Sequence, residues 1–278
     1  MLSLYNQVCN ECSKLITNRY STSFSMGIKV FDSKFQMPIY GIYGFVRFAD
    51  EIVDTFHGYE KGELLRRFRE DTYTAIKEKT SLNPVLHSFQ EVVHQYGIER
   101  ELIDAFLDSM EMDLYHERYH DALYKQYIYG SAEVVGLMCL RVFTNGDTEE
   151  YERLKAPACS LGSAFQKINF LRDMKSDFDE RGRVYFPGVD FENFTNEDKI
   201  TIEADIKKDF DDAYKGIIKL PTGARLGVML AYVYYTKLFT KIKKATAAHV
   251  KEERIRVPNG RKISLLFSTA VRHQLNLL

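Results

Sequence analysis

The chain is short of the features that break helices, staple loops or attract polyanions. Six prolines and sixteen glycines in 278 residues leave long stretches uninterrupted. In those stretches apolar residues recur at spacings of three and four, not two, which argues against a β-rich fold and predicts an all-α one. Four cysteines, Cys9, Cys12, Cys139 and Cys159, are too few for a disulfide framework in a chain of this length. Cys9 and Cys12 have the C-x-x-C spacing of redox and zinc sites, but no second pair completes four ligands, so reduced thiols on a helix, in a cytoplasmic protein, are expected. With 38 basic and 39 acidic residues the net charge is near zero, which removes the electrostatic argument for a nucleic-acid partner. No basic segment followed by an apolar run marks the N-terminus as a signal peptide. The longest charge-free stretches, such as Leu226 to Thr236, fall short of the roughly 18 to 20 apolar residues that span a bilayer. Contact with a membrane is therefore expected only at its periphery, on the inner face.

What is present is enough apolar residue, 45% of the chain, to bury a large core. No repeat, low-complexity tract or linker divides residues 1–278, which read as a single domain. Helices are predicted over 4–18, 38–57, 59–79, 84–96, 98–117, 120–144, 149–178, 196–215, 222–250 and 260–276, with the segment "RGRVYFPGVDFENFTNEDK" as the main irregular region.

Two of these helices carry acids four residues apart. Projected at about 100° per residue, the segment around "GFVRFADEIVD" puts Phe45, Phe48, Ala49, Ile52, Val53 and Phe56 on one side. Tyr43, Arg47, Asp50 and Asp54 fall on the other. Side chains at i and i+4 stand about 5 to 6 Å apart, so both aspartates can reach one cation. By itself such a stripe is equally a solvated, salt-bridged surface. The second case, "GSAFQKINFLRDMKSDFDERGRVYFP", places Gly162, Gln166, Asn169, Asp173 and Asp177 on one face, with Phe165, Ile168, Leu171, Met174 and Phe178 opposite. Oxygen-only donor sets of this kind suit hard cations such as Mg²⁺, which is commonly shared between a few carboxylates and substrate phosphates. Two acidic faces turned toward each other would repel unless cations and an anionic substrate lay between them.

At these residues the chain resembles the squalene/phytoene synthase family of head-to-head trans-isoprenyl diphosphate synthases. The resemblance extends over almost the whole chain through "RYSTSFS", "YGFVRFADEIVD", "YIYGSAEVVG", "QKINFLRDMKSDFDERGRVYFP" and "ERIRVPNGRK", in order and at family spacing. It implies a helical isoprenoid synthase domain around a deep apolar cavity capped by both motifs. It implies Mg²⁺ at Asp50, Asp54, Asn169, Asp173 and Asp177, and diphosphate oxygens on Arg47, Arg172 and Arg254, with Arg256 a weaker match. Ser21, Thr22, Ser23 and Phe24 match the stretch over the diphosphate. Tyr43, Gln166 and Tyr234 match substrate contacts, and Tyr129 the tyrosine given to proton handling or cation stabilisation. The chain departs from the pattern at three positions. Tyr20 replaces a histidine found in some relatives, Glu51 stands where many members have a second Asp, and Glu133 replaces a usual glycine, either narrowing the cavity or facing away from it.

The implied activity is condensation of two prenyl diphosphates through a cyclopropyl intermediate, two geranylgeranyl diphosphates giving phytoene. Squalene synthase, which also uses NADPH, and dehydrosqualene synthase are the near alternatives. A non-catalytic binding or assembly protein is the alternative of another class, disfavoured because all four aspartates remain. The expected assembly is a monomer or homodimer. "HERYH", His116 to His120, satisfies the zincin string H-E-x-x-H. No third ligand follows at a known spacing, and zinc is not expected there.

Overall fold

The computed structural model describes residues 2–115 and 118–255, with the side chains of Ser23 and Arg181 excepted. Twelve α-helices and one π-helical turn make up the described chain, and its only pairing of extended residues is a lone parallel bridge between Arg118 and Val184. In order they are α1 (Leu2–Tyr20), α2 (Thr22–Ile28), α3 (Ser33–Thr55), α4 (Lys61–Glu78), α5 (Pro84–Tyr96), α6 (Arg100–Tyr115), α7 (Asp121–Ile128), the π turn (Tyr129–Glu133), α8 (Val134–Phe143), α9 (Thr148–Arg181), α10 (Asn196–Ile217), α11 (Thr222–Lys244) and α12 (Ala247–Glu252). The predicted helix over 260–276 lies outside the described residues, as do Arg256, His116 and Glu117.

Local chemistry explains most boundaries. The Asn83 side chain accepts from the N–H groups of Val85 and Leu86 at the start of α5, with Pro84 at its first position. Thr195 and Asp198 form a reciprocal capping box on α10. Helix α9, 34 residues long, begins on Asp147 and ends at Gly182 with φ 67°, which only glycine adopts without strain. Three boundaries depart from expectation. α3 starts at Ser33 and carries Pro38 inside it. A short α2 replaces the loop predicted between the first two long helices. The stretch 222–250 breaks after Lys244, because Thr246 caps a separate α12.

Two apolar clusters build the core. One joins α3 to α6 with α8, and includes the stacked rings of Phe45 and Phe89, 3.9 Å apart. The other joins α7 and α9 to α12 through Phe170, Tyr185, Phe210 and Leu238. The π turn sits between α6 and α9, and glycine permits both approaches: a Cβ on Gly130 would lie 2.3 Å from the Ala105 carbonyl oxygen, and one on Gly162 would lie 2.9 Å from that of Ala132. Between the clusters is a cavity of about 940 Å³, whose deep walls are apolar, among them Phe31, Val135, Cys139, Phe143 and Leu161. All four cysteines are free thiols. Among the described residues no helix is long and apolar enough to cross a membrane.

Candidate active site

Helices α3 and α9 both line this cavity, each through its polar face. Asp50 and Asp54 from α3, and Asn169, Asp173 and Asp177 from α9, all line it. So do Tyr20, Ser21, Phe24, Tyr43, Arg47, Gln166, Arg172, Tyr234 and Arg254. The apolar side of α3 is narrower than its projection suggests: Phe45, Ala49, Ile52 and Val53 are buried, whereas Phe48 and the C-cap residue Phe56 are exposed.

Each acidic motif is held by arginine. Arg47 pairs with both Asp50 and Glu51. Its guanidinium lies 4.4 Å from the centre of the Tyr20 ring, so Tyr20 contributes a π face. Glu51 does not reach the cavity and acts on Arg47. The buried Nε of Arg47 has no hydrogen-bond partner among the described residues, a donor left to be satisfied within a residue that lines the cavity. On α9, Arg172 Nε donates to Asp173 Oδ1 at 2.9 Å, and Arg254 Nε stands 2.7 Å from the same oxygen. Asn169 Oδ1 accepts from the Tyr235 hydroxyl at 3.2 Å, and Tyr235 stacks on Phe165. Among the described residues no three acid, His or Cys side chains already converge as a metal cluster; arginines occupy the carboxylates instead. The donor set is oxygen alone, in the lining of one cavity, which fits Mg²⁺.

Burial and neighbouring negative charge hold the Asp50 carboxyl up to about 7, burial first and Asp54 next, against the pull of Arg47. The Ser21 hydroxyl accepts the Phe24 N–H at 3.2 Å and so caps α2, and Phe24 stacks on Tyr43 at 4.8 Å between ring centres. This stretch is thus both a helix cap and a wall of the cavity. Thr22 is exposed and does not line the cavity.

Tyr129, matched to the proton-handling tyrosine, is partly exposed and is not part of the cavity wall; it lies beside Cys159 and Glu133. The wall is formed by Tyr127, Ser131, Val135, Cys139 and Phe143, one face at steps of four. Two residues further on, Tyr129 is turned about 200° away from that face. Glu133 likewise faces away from the cavity, toward Cys159. His120 of the zincin string caps α7 through its ring nitrogen.

The residues missed from the sequence are Asp113, Arg183 and Tyr185, together with Tyr127. Asp113, at the end of α6, is buried and accepts from the Tyr127 hydroxyl at 2.8 Å; Tyr185 and Arg183 stand 3.4 and 3.3 Å from its Oδ1. Burial pushes its carboxyl up to about 6, although Arg183 and Tyr127 oppose the shift. The signal was present: Asp113 is in phase with Leu102, Phe106 and Met110 on the apolar face of α6, where an unpaired carboxylate is not tolerated.

The family model described as squalene/phytoene synthase matches residues 17–261. A phytoene synthase of Pseudescherichia vulneris is 29% identical over 275 residues, covering 89% of this chain and 86% of that protein. A 15-cis-phytoene synthase of Enterobacter agglomerans is 26% identical over 276 residues, covering 90% and 91%. Among solved structures, a dehydrosqualene synthase in complex with ligand superposes with a TM-score of 0.82 at 20% identity over 97% of this chain and 98% of that one. The squalene synthase HpnC of Alicyclobacillus acidocaldarius gives 0.76 at 18% identity over 87% and 95%.

Proposed function

The chain belongs to the squalene/phytoene synthase family and is a prenyltransferase, and we propose that it joins two geranylgeranyl diphosphates head to head to give phytoene, with Mg²⁺ as its cofactor. The observation that carries this reading is the presence of two aspartate-bearing, arginine-bearing helix faces in the lining of one apolar cavity. The phytoene synthases among its relatives support the C20 substrate.

Bound Mg²⁺ would supply charge neutralisation and Lewis-acid pull on the diphosphate. Asp50 and Asp54 from α3, with Asn169, Asp173 and Asp177 from α9, are the residues to hold it. Arg47, Arg172 and Arg254, which pair with these carboxylates in the ligand-free protein, are the groups that would bind diphosphate oxygens. With the leaving group held, the allylic C–O bond of the first substrate ionises. The double bond of the second attacks the cation, and loss of a proton closes a cyclopropane. The remaining C–O bond ionises in turn, and the skeleton rearranges to a 1-1′ link with loss of a second proton. The apolar walls keep water from quenching these cations, and the released diphosphate is the nearest proton acceptor. The hydrocarbon leaves to a bilayer through peripheral contact.

The test is purified protein with Mg²⁺ and geranylgeranyl or farnesyl diphosphate, with and without NADPH, followed by mass spectrometry of the extracted lipid. A C40 hydrocarbon from the C20 substrate is expected. A C30 product only from farnesyl diphosphate would move the assignment to dehydrosqualene, or to squalene if NADPH is required. No hydrocarbon from any combination would favour a binding protein.

A further inference from the structure

Arg183 is tied to both acidic motifs. It directly follows Gly182, and its backbone N–H donates to the Asp177 carbonyl at 3.0 Å, closing the end of α9. Its side chain, only 9% exposed, crosses toward α3. There Nη1 is 3.7 Å from Asp54 Oδ1 and 3.3 Å from Asp113 Oδ1, while Nη2 donates to the Asp113 carbonyl at 2.6 Å. The guanidinium thus has two carboxylates within reach and lies nearer the one that belongs to neither motif. Asp113 is fixed in turn by the Tyr127 hydroxyl. The neighbouring Val184 is pinned by its bridge to Arg118.

This matters because an arginine and a divalent cation compete for the same carboxylate oxygens. A full ion pair between Arg183 and Asp54 would neutralise a residue that the proposed function needs at the cation site. We propose that Asp113 and Arg183 are a positioning pair, in which the Asp113 carboxylate and carbonyl draw the guanidinium off Asp54 and so leave Asp54 disposed to bind the cation. The pair lines the cavity and acts through Asp54. It also fixes the span between the motifs, because one residue holds the Asp177 backbone and reaches the Asp54 side chain. Outer groups that orient ligands commonly change metal affinity by about 10- to 100-fold. The inference rests on the reading of Asp54 as a cation ligand.

Magnesium binding, measured by calorimetry on the full chain with an unreactive thiodiphosphate analogue of the prenyl substrate, tests the pair without turnover. Asp113→Asn keeps the side-chain shape and the carbonyl acceptor but removes the charge, so the guanidinium closes on Asp54. Magnesium affinity is expected to fall about 10-fold. Adding Arg183→Met to that variant removes the competitor and is expected to restore affinity to within about 3-fold of the parent. A purely structural role predicts a double variant no better than the single one, and that result would overturn the proposal. Unchanged affinity in Asp113→Asn would overturn it too. Should that variant not fold, Arg183→Gln serves: affinity equal to or tighter than the parent supports the pair, and weaker affinity overturns it. A parent protein that binds no magnesium would instead sink the reading of the aspartates as ligands, and this inference with it.

Discussion

The two acidic motifs look alike in sequence and differ in how their charge is met. Around Asp50 on α3 stand three further carboxylates, Glu51, Asp54 and Asp113, with Arg47 and Arg183 as the opposing charges. At Asp173 on α9, by contrast, two guanidinium groups, those of Arg172 and Arg254, converge on one carboxylate. Asp50 thus shares the Arg47 charge with Glu51, whereas Asp173 is met by two arginines. On the proposed function, an added cation would gain most beside Asp50, and the arginines at Asp173 would be the ones to pass from carboxylate to diphosphate. The same i, i+4 pattern would then serve two tasks, set by the arginines that the fold brings in.

The strongest way to break the comparison is to remove one acid from each side. Asp50→Asn and Asp173→Asn are each expected to lower turnover by at least about 100-fold, since both weaken the charge stabilisation of the leaving group. They should part in magnesium dependence. Excess Mg²⁺ is expected to recover less activity in Asp50→Asn, because the lost group stands where an added cation would gain most. Steady-state release of diphosphate against Mg²⁺ concentration reads both. Equal recovery in the two variants would erase the proposed difference between the faces.

A smaller effect separates two tyrosines on one helix. Tyr127→Phe removes the 2.8 Å bond to a buried carboxylate and is expected to cost about 1–3 kcal/mol of stability. Tyr129→Phe, at a partly exposed position outside the cavity, is expected to stay within about 0.5 kcal/mol and to leave turnover unchanged. Denaturant unfolding with an activity assay on each measures this. A large loss of turnover in Tyr129→Phe would return it to the reacting centre.

These two residues also show what was legible in the sequence. The long helices and both aspartate faces follow from the 3.6-residue period, because local spacing alone decides which side chains share a side. The same phase rule separates Tyr127 from Tyr129 once the wall formed by Ser131, Val135 and Cys139 is known, and it is Tyr127 that lines the cavity. Arg183 lay inside the segment read as irregular, and no spacing rule relates it to Asp54, 129 positions earlier by number. Asp113 could be noticed as a carboxylate on an apolar stripe, yet its partner comes from the far end of α9. Contacts between distant segments depend on packing, which periodicity does not encode.

The last consequence is a pH dependence in which the Asp50 side carries the largest carboxyl shift. In the folded, metal-free protein the Asp50 carboxyl is held up to about 7 and that of Asp113 up to about 6, each mainly by burial, from ordinary values of 3.8. Between those limits the folded state binds more protons than the unfolded one, so stability falls as pH rises. Both groups contribute to the slope between about 4 and 6, and Asp50 dominates it between about 6 and 7. The Asp50 side chain is 35% exposed, and solvent screening reduces the effect to about 1 kcal/mol, a shift of roughly 2–4 °C in unfolding midpoint for a chain of this size. Asp50→Asn should flatten the interval from 6 to 7 in the presence of a chelator. Saturating Mg²⁺ should flatten it in the parent, because a bound cation replaces the proton. A midpoint that rises through this interval, or a slope that Asp50→Asn leaves untouched, would show that the Asp50 carboxyl is not held up in the folded protein.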